Sequence, residues 1–441
     1  MKHTRCLLAS LLGLASNPAA AIDCGKNITI ENAANASQVR KACSTIGGDL
    51  LLSTAIPESD DINLDGVEAV LGSIIHNGCF PDEEGCDQTT SSLYDISSST
   101  LRTVSGSIIF RNYDGVGKLL LPSLEVVNGS VFLSGLLNLT HLDVTNLAYT
   151  GDFSLNAPVL EQLDIDGLRG FTDEIAGVII SDVGSIDSVD AFFDHPLQVE
   201  SPDGNSDIRV TIRNSTNIRN VTVAWPYISK MMIYNKDIAV TLGGSSTESM
   251  HIDSLTIPTG FHRDSKLQNL TVGRVEFTET SAVEKITLPF DDLAYAEIND
   301  NSEESKLRTI VLPPEAANWT NHQLSLSARS LVFREYDDDN SKIWYWPAKM
   351  KRISLEGIIS ANFFDSFFER NTTVTERIYV RDNSAGFNCT AFEEKLGSNA
   401  PGDFHCLTDF PGDDSAGSGL RLWSFQLQVA VTLAVMLVFL G

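Results

Sequence analysis

Gly106-Ser107-Ile108-Ile109-Phe110, Gly129-Ser130-Val131-Phe132-Leu133 and Gly151-Asp152-Phe153-Ser154-Leu155 are three copies of one unit, Gly-(Ser/Asp)-apolar-x-apolar. A fourth copy stands at Gly48-Asp49-Leu50-Leu51-Leu52 and a looser one at Gly72-Ser73-Ile74-Ile75, so successive glycines are 24, 34, 23 and 22 residues apart. Self-similarity at twenty-odd residues marks a solenoid, in which each coil repeats one supersecondary unit and buries its apolar face against its neighbours. The alternating apolar positions of each unit fall on one face of a strand. The long interval holds Cys79 to Cys86, which reads as a loop inserted into one coil and pinned by its own disulfide.

A second unit, apolar-x-x-apolar-x-apolar, carries the pattern along the rest of the chain: Leu139-Leu142-Val144, Leu160-Leu163-Ile165, Ile218-Val221-Val223, Ile252-Leu255-Ile257, Leu267-Leu270-Val272, Val283-Ile286-Leu288, Leu307-Ile310-Leu312 and Met350-Ile353-Leu355. This is a leucine-rich-repeat-like step, whose last two apolar positions lie on a strand and whose first turns the chain into the core. Proline follows several strands, as at Pro122, Pro258, Pro289 and Pro313, where no ladder hydrogen bond is needed. Asparagine follows others, at Asn112, Asn214, Asn235, Asn299 and Asn383, where a bend or a left-handed residue is expected. Ser37 to Ile46 reads as a short amphipathic capping helix. Pro196, Pro202, Asp203, Gly204 and Asn205 break the apolar rhythm, which divides the chain into solenoids at 22–200 and 201–406, with a spacer at 407–415.

The chain has 441 residues, 42% hydrophobic and 20% charged, enough for a proper core. Asp and Glu number 58 against 31 Lys and Arg, a net charge of -27, and so acidic a surface repels phosphate backbones; nucleic acid is excluded as a partner.

Both termini carry targeting patterns. Lys2 and Arg5, the apolar stretch Cys6 to Leu14 and Ala19-Ala20-Ala21 form a secretory signal over residues 1–21. Near the other end, Leu427 to Leu440 is almost wholly apolar with no Lys or Arg beyond it, and Ser415-Ala416-Gly417 supplies small residues ahead of a short spacer. Small triplet, spacer and apolar tail are the parts of a GPI-attachment signal, with Ser415 the favoured attachment residue, Asp414 and Gly417 the alternatives, and 416–441 removed. A plain tail anchor is the competing reading. Processing at both ends removes Lys2, Arg5 and Arg421 and no acid, which takes the charge from -27 to -30.

Cys6 leaves with the signal, and Cys24, Cys43, Cys79, Cys86, Cys389 and Cys406 remain. An even number in an oxidising compartment implies disulfides, and of the 15 connectivities open to six cysteines their clustering favours neighbours: Cys24 with Cys43, Cys79 with Cys86, Cys389 with Cys406. Without a C-x-x-C, a zinc site is not expected, and no residue is assigned as a metal ligand. Asn-x-Ser/Thr occurs at Asn27, Asn35, Asn128, Asn138, Asn214, Asn220, Asn269, Asn318, Asn371 and Asn388, so N-glycosylation is expected along the whole secreted part.

The run Cys43-Ser44-Thr45-Ile46-Gly47-Gly48-Asp49-Leu50, followed by Gly-(Ser/Asp)-apolar strands, resembles the receptor L-domain, the right-handed parallel β-helix of insulin- and growth-factor-receptor ectodomains. With signal, paired repeats, sequons and tail, the chain is most similar to fungal GPI-anchored cell-wall organisation proteins. The resemblance implies a mainly β fold of two tandem, disulfide-capped L-domain-like solenoids and a non-enzymatic glycoprotein supporting wall integrity. It implies no cofactor and no catalytic residue to carry over. Partners would be wall polysaccharide or wall proteins, and the membrane through the lipid. The spacer after Cys406 is much shorter than the Ser/Thr-rich stalk of such proteins, which favours the outer face of the plasma membrane over transfer to wall glucan.

Two rival functions have candidate residues. A glycan-remodelling enzyme needs a carboxylate pair, and Asp164 and Asp166 flank a core-facing residue and would share an outward face. The acidic run Glu335 to Asp339 is a second candidate; Asp337-Asp338-Asp339-Asn340 within it has the oxygens for calcium but lacks the spacing and glycine of an EF-hand, so a solvated turn is expected there. H-E-x-x-H, G-x-S-x-G and P-loop motifs are absent. A receptor or adhesin needs a contact surface, and Lys342 to Arg352 is basic and aromatic inside an acidic protein. Trp344 and Trp346 share a strand face and are expected in the core, which leaves Tyr345, Lys349 and Arg352 as the candidate glycan or protein contact.

Overall fold

A computed structural model describes residues 22–408, apart from 55, 58–59, 78–92, 113, 174, 198–206, 245–246, 281–282, 301, 303, 320–321 and 385. The signal, the Cys79 and Cys86 pair, most of the expected domain boundary, the spacer from 409 onward and Ser415 with the tail lie outside the described residues. Among the described residues no helix is long and apolar enough to cross a membrane.

Each Gly-(Ser/Asp) unit leads into a strand of one sheet, and the strands stand in the order of the copies: Leu50–Leu52, Ile74–Asn77, Ile108–Arg111, Val131–Ser134, Asp152–Asn156. The sheet runs on to sixteen strands, from Ile28–Ile30 at one edge to Asp403–Thr408 at the other. All its pairings are parallel, so the protein is a parallel β-solenoid. The register puts one apolar residue of every strand on a single inward line: Ile28, Leu50, Ile74, Ile108, Val131, Phe153, Val178, Val210, Met231, Leu255, Val275, Ala296, Leu324, Ile353, Ile378 and Phe404. One continuous apolar core follows that line.

The glycine of the unit has a physical reason. Ser107 N donates to Ser73 Oγ at 3.0 Å and Ser130 N to Ser107 Oγ at 3.1 Å, continuing a ladder that begins with Asp49 N to Asn27 Oδ1 at 2.9 Å and Ser73 N to Asp49 Oδ1 at 2.8 Å. Each side-chain oxygen therefore lies where the next coil's glycine would carry a Cβ. At Gly106 such a Cβ would collide with Ser73 Oγ and meet the Gly72 carbonyl at 2.9 Å. Ser or Asp bonds forward, and glycine makes room.

The two halves differ in cross-section. Up to Phe171 each coil is three-sided: the main strands are three to five residues long, and a five-stranded sheet (Ile62–Asn63 to Gln162–Asp164) and a six-stranded one (Thr45–Ile46 to Gly170–Phe171) close the other sides. From Asp207 the main strands run six to twelve residues, and the flanking sheets shrink to three and two strands. There the apolar-x-x-apolar-x-apolar unit has two meanings. Ile218, Leu267, Val283 and Leu307 precede the strands Asn220–Val223, Asn269–Phe277, Lys285–Thr287 and Thr309–Val311, as expected. Ile252-Leu255-Ile257 and Met350-Ile353-Leu355 instead lie inside single strands, Ser249–Ile257 and Lys349–Ile359, where the x-x marks a slip in the alternation. Between the halves, Ile175–Ser181 pairs with Asp207–Arg213 over seven residues, so the sheet continues across the 198–206 stretch.

Helices close the ends. The N-terminal helix, expected at Ser37–Ile46, is Ala33–Ala42. Asn32 starts it, its Oδ1 accepting from Asn35 N at 2.9 Å, and Thr45–Ile46 leave it to pair with Ala69–Val70. Ala36 and Val39 cover the first coil, and Cys24–Cys43 ties the segment down. At the far end helix Cys389–Leu396 buries Phe392 and Leu396, and Cys389–Cys406 fastens it to the last strand. Of the strand-following asparagines, Asn112 and Asn214 are left-handed (φ 46° and 52°), whereas Asn235 is buried and bonds the Ser215 backbone of the neighbouring coil.

Candidate functional site

The carboxylates proposed for glycan chemistry sit on a corner of the three-sided half. Asp164 ends the strand Gln162–Asp164, and its Oδ2 accepts from His141 Nε2 at 2.8 Å and from Gln162 Nε2 at 2.7 Å. Ile165 is buried and Asp166, past the strand, is exposed; its backbone N–H bonds Thr145 O at 3.0 Å. Asp166 lines an open cavity of about 310 Å³ with Glu125, Tyr149 and Arg169 among its walls. The two aspartates flank one core residue as the alternation requires, yet Asp164 is engaged by His141 while Asp166 faces the cavity. Thr145 joins the two places: it lines the cavity and donates N–H and Oγ1–H to Asp143 Oδ1 at 3.1 and 2.7 Å.

The second acidic candidate holds the fold together. Glu335 is buried, and its Oε1 accepts from Ser366 N at 2.8 Å, capping the short helix Asp365–Glu369. Asp337 bonds Arg334 and Lys285, Asp338 bonds Arg334, and Asp339 accepts from Ser341 N within its own turn.

The basic, aromatic stretch divides as its alternation requires. Trp344 and Trp346 are fully buried, edge to face at 5.3 Å, in an aromatic cluster with Phe363, Phe364 and Phe367. Tyr345 is half-buried beneath Lys342 Nζ, 5.3 Å from its ring. Lys349 and Arg352 are exposed on strand Lys349–Ile359, and Arg352 Nε donates to Glu376 at 2.7 Å. That guanidinium is thus partly engaged, and the strand carries a register irregularity between Met350 and Arg352.

A further polar network lies outward on the long-stranded half. Thr271 Oγ1 and His251 Nδ1 are 2.6 Å apart, His251 Nε2 and Asp253 Oδ1 2.9 Å, and Tyr227 OH donates to Asp253 Oδ2 at 2.7 Å. Burial, and then the bond to Asp253, pushes the Tyr227 hydroxyl up to about 12. Both this network and the His141 group begin with His-x-Asp on a strand, His141-Leu142-Asp143 and His251-Ile252-Asp253. That period-2 spacing was the available signal for them.

The ten sequon asparagines all reach the surface: Asn35 is half-buried, and Asn27, Asn128, Asn138, Asn214, Asn220, Asn269, Asn318, Asn371 and Asn388 are exposed. Asn388 also caps the C-terminal helix through Oδ1, accepting from Ala391 N at 3.0 Å, which leaves Nδ2 for a sugar. Comparison with family models, with curated proteins and with solved structures finds no match to this chain.

Proposed function

We propose that the protein is a non-enzymatic, N-glycosylated scaffold of the cell surface, built from two L-domain-like solenoids, held by a GPI lipid on the outer face of the plasma membrane and supporting fungal wall organisation. The observation that carries the reading is the surface position of every sequon from Asn27 to Asn388 around one continuous apolar core. Sixteen parallel strands at a spacing of about 4.8 Å make a rod roughly 70 Å long, a shape suited to reaching from a membrane into a wall. Asp164 is engaged in a bond between coils, and Glu125, the other carboxylate of the cavity that Asp166 lines, is paired with Arg102, which favours scaffold over glycosidase.

Four measurements test this. Phospholipase treatment of intact cells should release the protein, and endoglycosidase should lower its mass. Cells lacking it should become hypersensitive to wall-binding dyes. Full-length protein incubated with β-glucan and chitin oligosaccharides should leave their chain lengths unchanged; new lengths would make it a carbohydrate-active enzyme, and normal dye tolerance without it would remove the wall role.

A further inference from the structure

Two neighbouring coils bring together a set of ligand atoms that the scaffold reading does not use. His141 and Asp143 are two residues apart on one strand and so share its outward face. The strand Gln162–Asp164 pairs with it in parallel register, Asp143 opposite Asp164. One nitrogen of His141 and one carboxylate oxygen each of Asp143 and Asp164 lie within 4.8 Å of one another, and all three residues are half-buried.

We propose that His141, Asp143 and Asp164 bind a divalent first-row transition ion, with zinc as the test ion. Ligand bonds to zinc are about 2.0–2.2 Å long and tetrahedrally arranged, so two ligand atoms stand about 3.4 Å apart. His141 Nε2 and Asp164 Oδ2 stand 2.8 Å apart, sharing a proton that the ion would replace as the two atoms open by roughly half an ångström. Asp143 supplies the third atom of the group, within 4.8 Å of the other two. Two carboxylates and a neutral imidazole balance the ion's double charge, and the imidazole nitrogen selects against calcium and magnesium, which take oxygen ligands. Neighbouring donors hold the ligands in place as metal sites require: Thr145 fixes the Asp143 carboxylate through Oδ1, and Gln162 Nε2 bonds Asp164. The remaining coordination positions face solvent, since the His141 and Asp164 side chains are 22% and 36% exposed. A net charge of -27 raises the local cation concentration.

The other half provides an internal control. His251 and Asp253 repeat the His-x-Asp spacing, but the residue paired with His251 on the next strand is Thr271, and among the described residues no second carboxylate joins them as a metal-binding group. An ordinary histidine-aspartate pair would make the two places equivalent; a metal site would not.

The test uses full-length protein stripped with chelator, then titrated with zinc against a chromophoric chelator at neutral pH. The wild type should take up one equivalent, and zinc should raise its unfolding temperature. Asp164→Asn and His141→Gln should each weaken uptake by at least about tenfold and abolish the thermal shift, while Asp253→Asn should leave both intact. Asp143→Asn removes a ligand without touching the His141–Asp164 bond, so it decides the matter if the other two variants fold poorly. No zinc uptake by the wild type at about 100 μM free ion, or equal uptake by wild type and Asp143→Asn, overturns the proposal.

Discussion

Single residues set the solenoid's tolerances. His76 is fully buried against Tyr94 OH at 2.7 Å, and burial holds its imidazole down at about 4, against an ordinary value near 6.5. The unfolded chain therefore binds a proton between those values that the folded chain refuses, and stability is full above pH 6.5 and falls as pH drops toward 4. The loss is about 1.4 kcal/mol per unit and saturates near 3 kcal/mol. His76→Gln should flatten that part of the stability-pH curve measured by urea unfolding, and an unchanged slope would place the titration elsewhere. Gly106 sets a second tolerance. Gly106→Ala presses a methyl group onto the Gly72 backbone and should cost about 1–3 kcal/mol, whereas Gly260→Ala, with nothing within 4 Å, should be silent in the same melt.

At the scale of elements, the strands and their stacking were legible because the repeat period and the apolar alternation are local properties of the chain. Leu50, Ile108, Val131 and Phe153 could be placed inward from sequence spacing alone. The cap, expected at Ser37–Ile46, lies four residues earlier at Ala33–Ala42, because the Asn32 side chain starts the helix and Thr45–Ile46 pair with Ala69–Val70 instead of continuing it. The site was less legible. His141 and Asp164 are 23 residues apart, and their contact depends on a register between coils that no local pattern contains. The same is true of Asp382, a fully buried carboxylate that stitches three elements by accepting from Ile359 N, Ser384 N and Phe387 N at 3.0, 3.2 and 2.9 Å. Burial pushes its carboxyl up, but these donors outweigh that and hold it below the ordinary range. Asp382→Ala leaves the three N–H groups unpaired, and a loss of about 3–5 kcal/mol is expected in denaturant unfolding. A loss below about 1 kcal/mol would mean that water replaces the carboxylate.

For the whole molecule the open matter is cooperativity, because a stack of coils is stabilised by nearest neighbours and can lose structure in part. The inward line passes without a gap from Phe153 through Val178 to Val210, while strand length and cross-section change at that junction. Phe153 is fully buried, edge to face with Phe192 at 4.8 Å, so Phe153→Ala should cost about 3–5 kcal/mol where it is made. Nearest-neighbour coupling predicts a graded response in amide exchange. Protection should fall most at Val131–Ser134 and Ile175–Ser181, fall measurably at Asp207–Arg213, and stay unchanged at Thr373–Asp382. An unaffected Asp207–Arg213 would make the halves independent folding units despite seven paired residues between them, and an equal loss at Thr373–Asp382 would make all sixteen strands one cooperative block. The graded outcome is the one that the stacking dictates, since each coil reaches distant coils only through those in between.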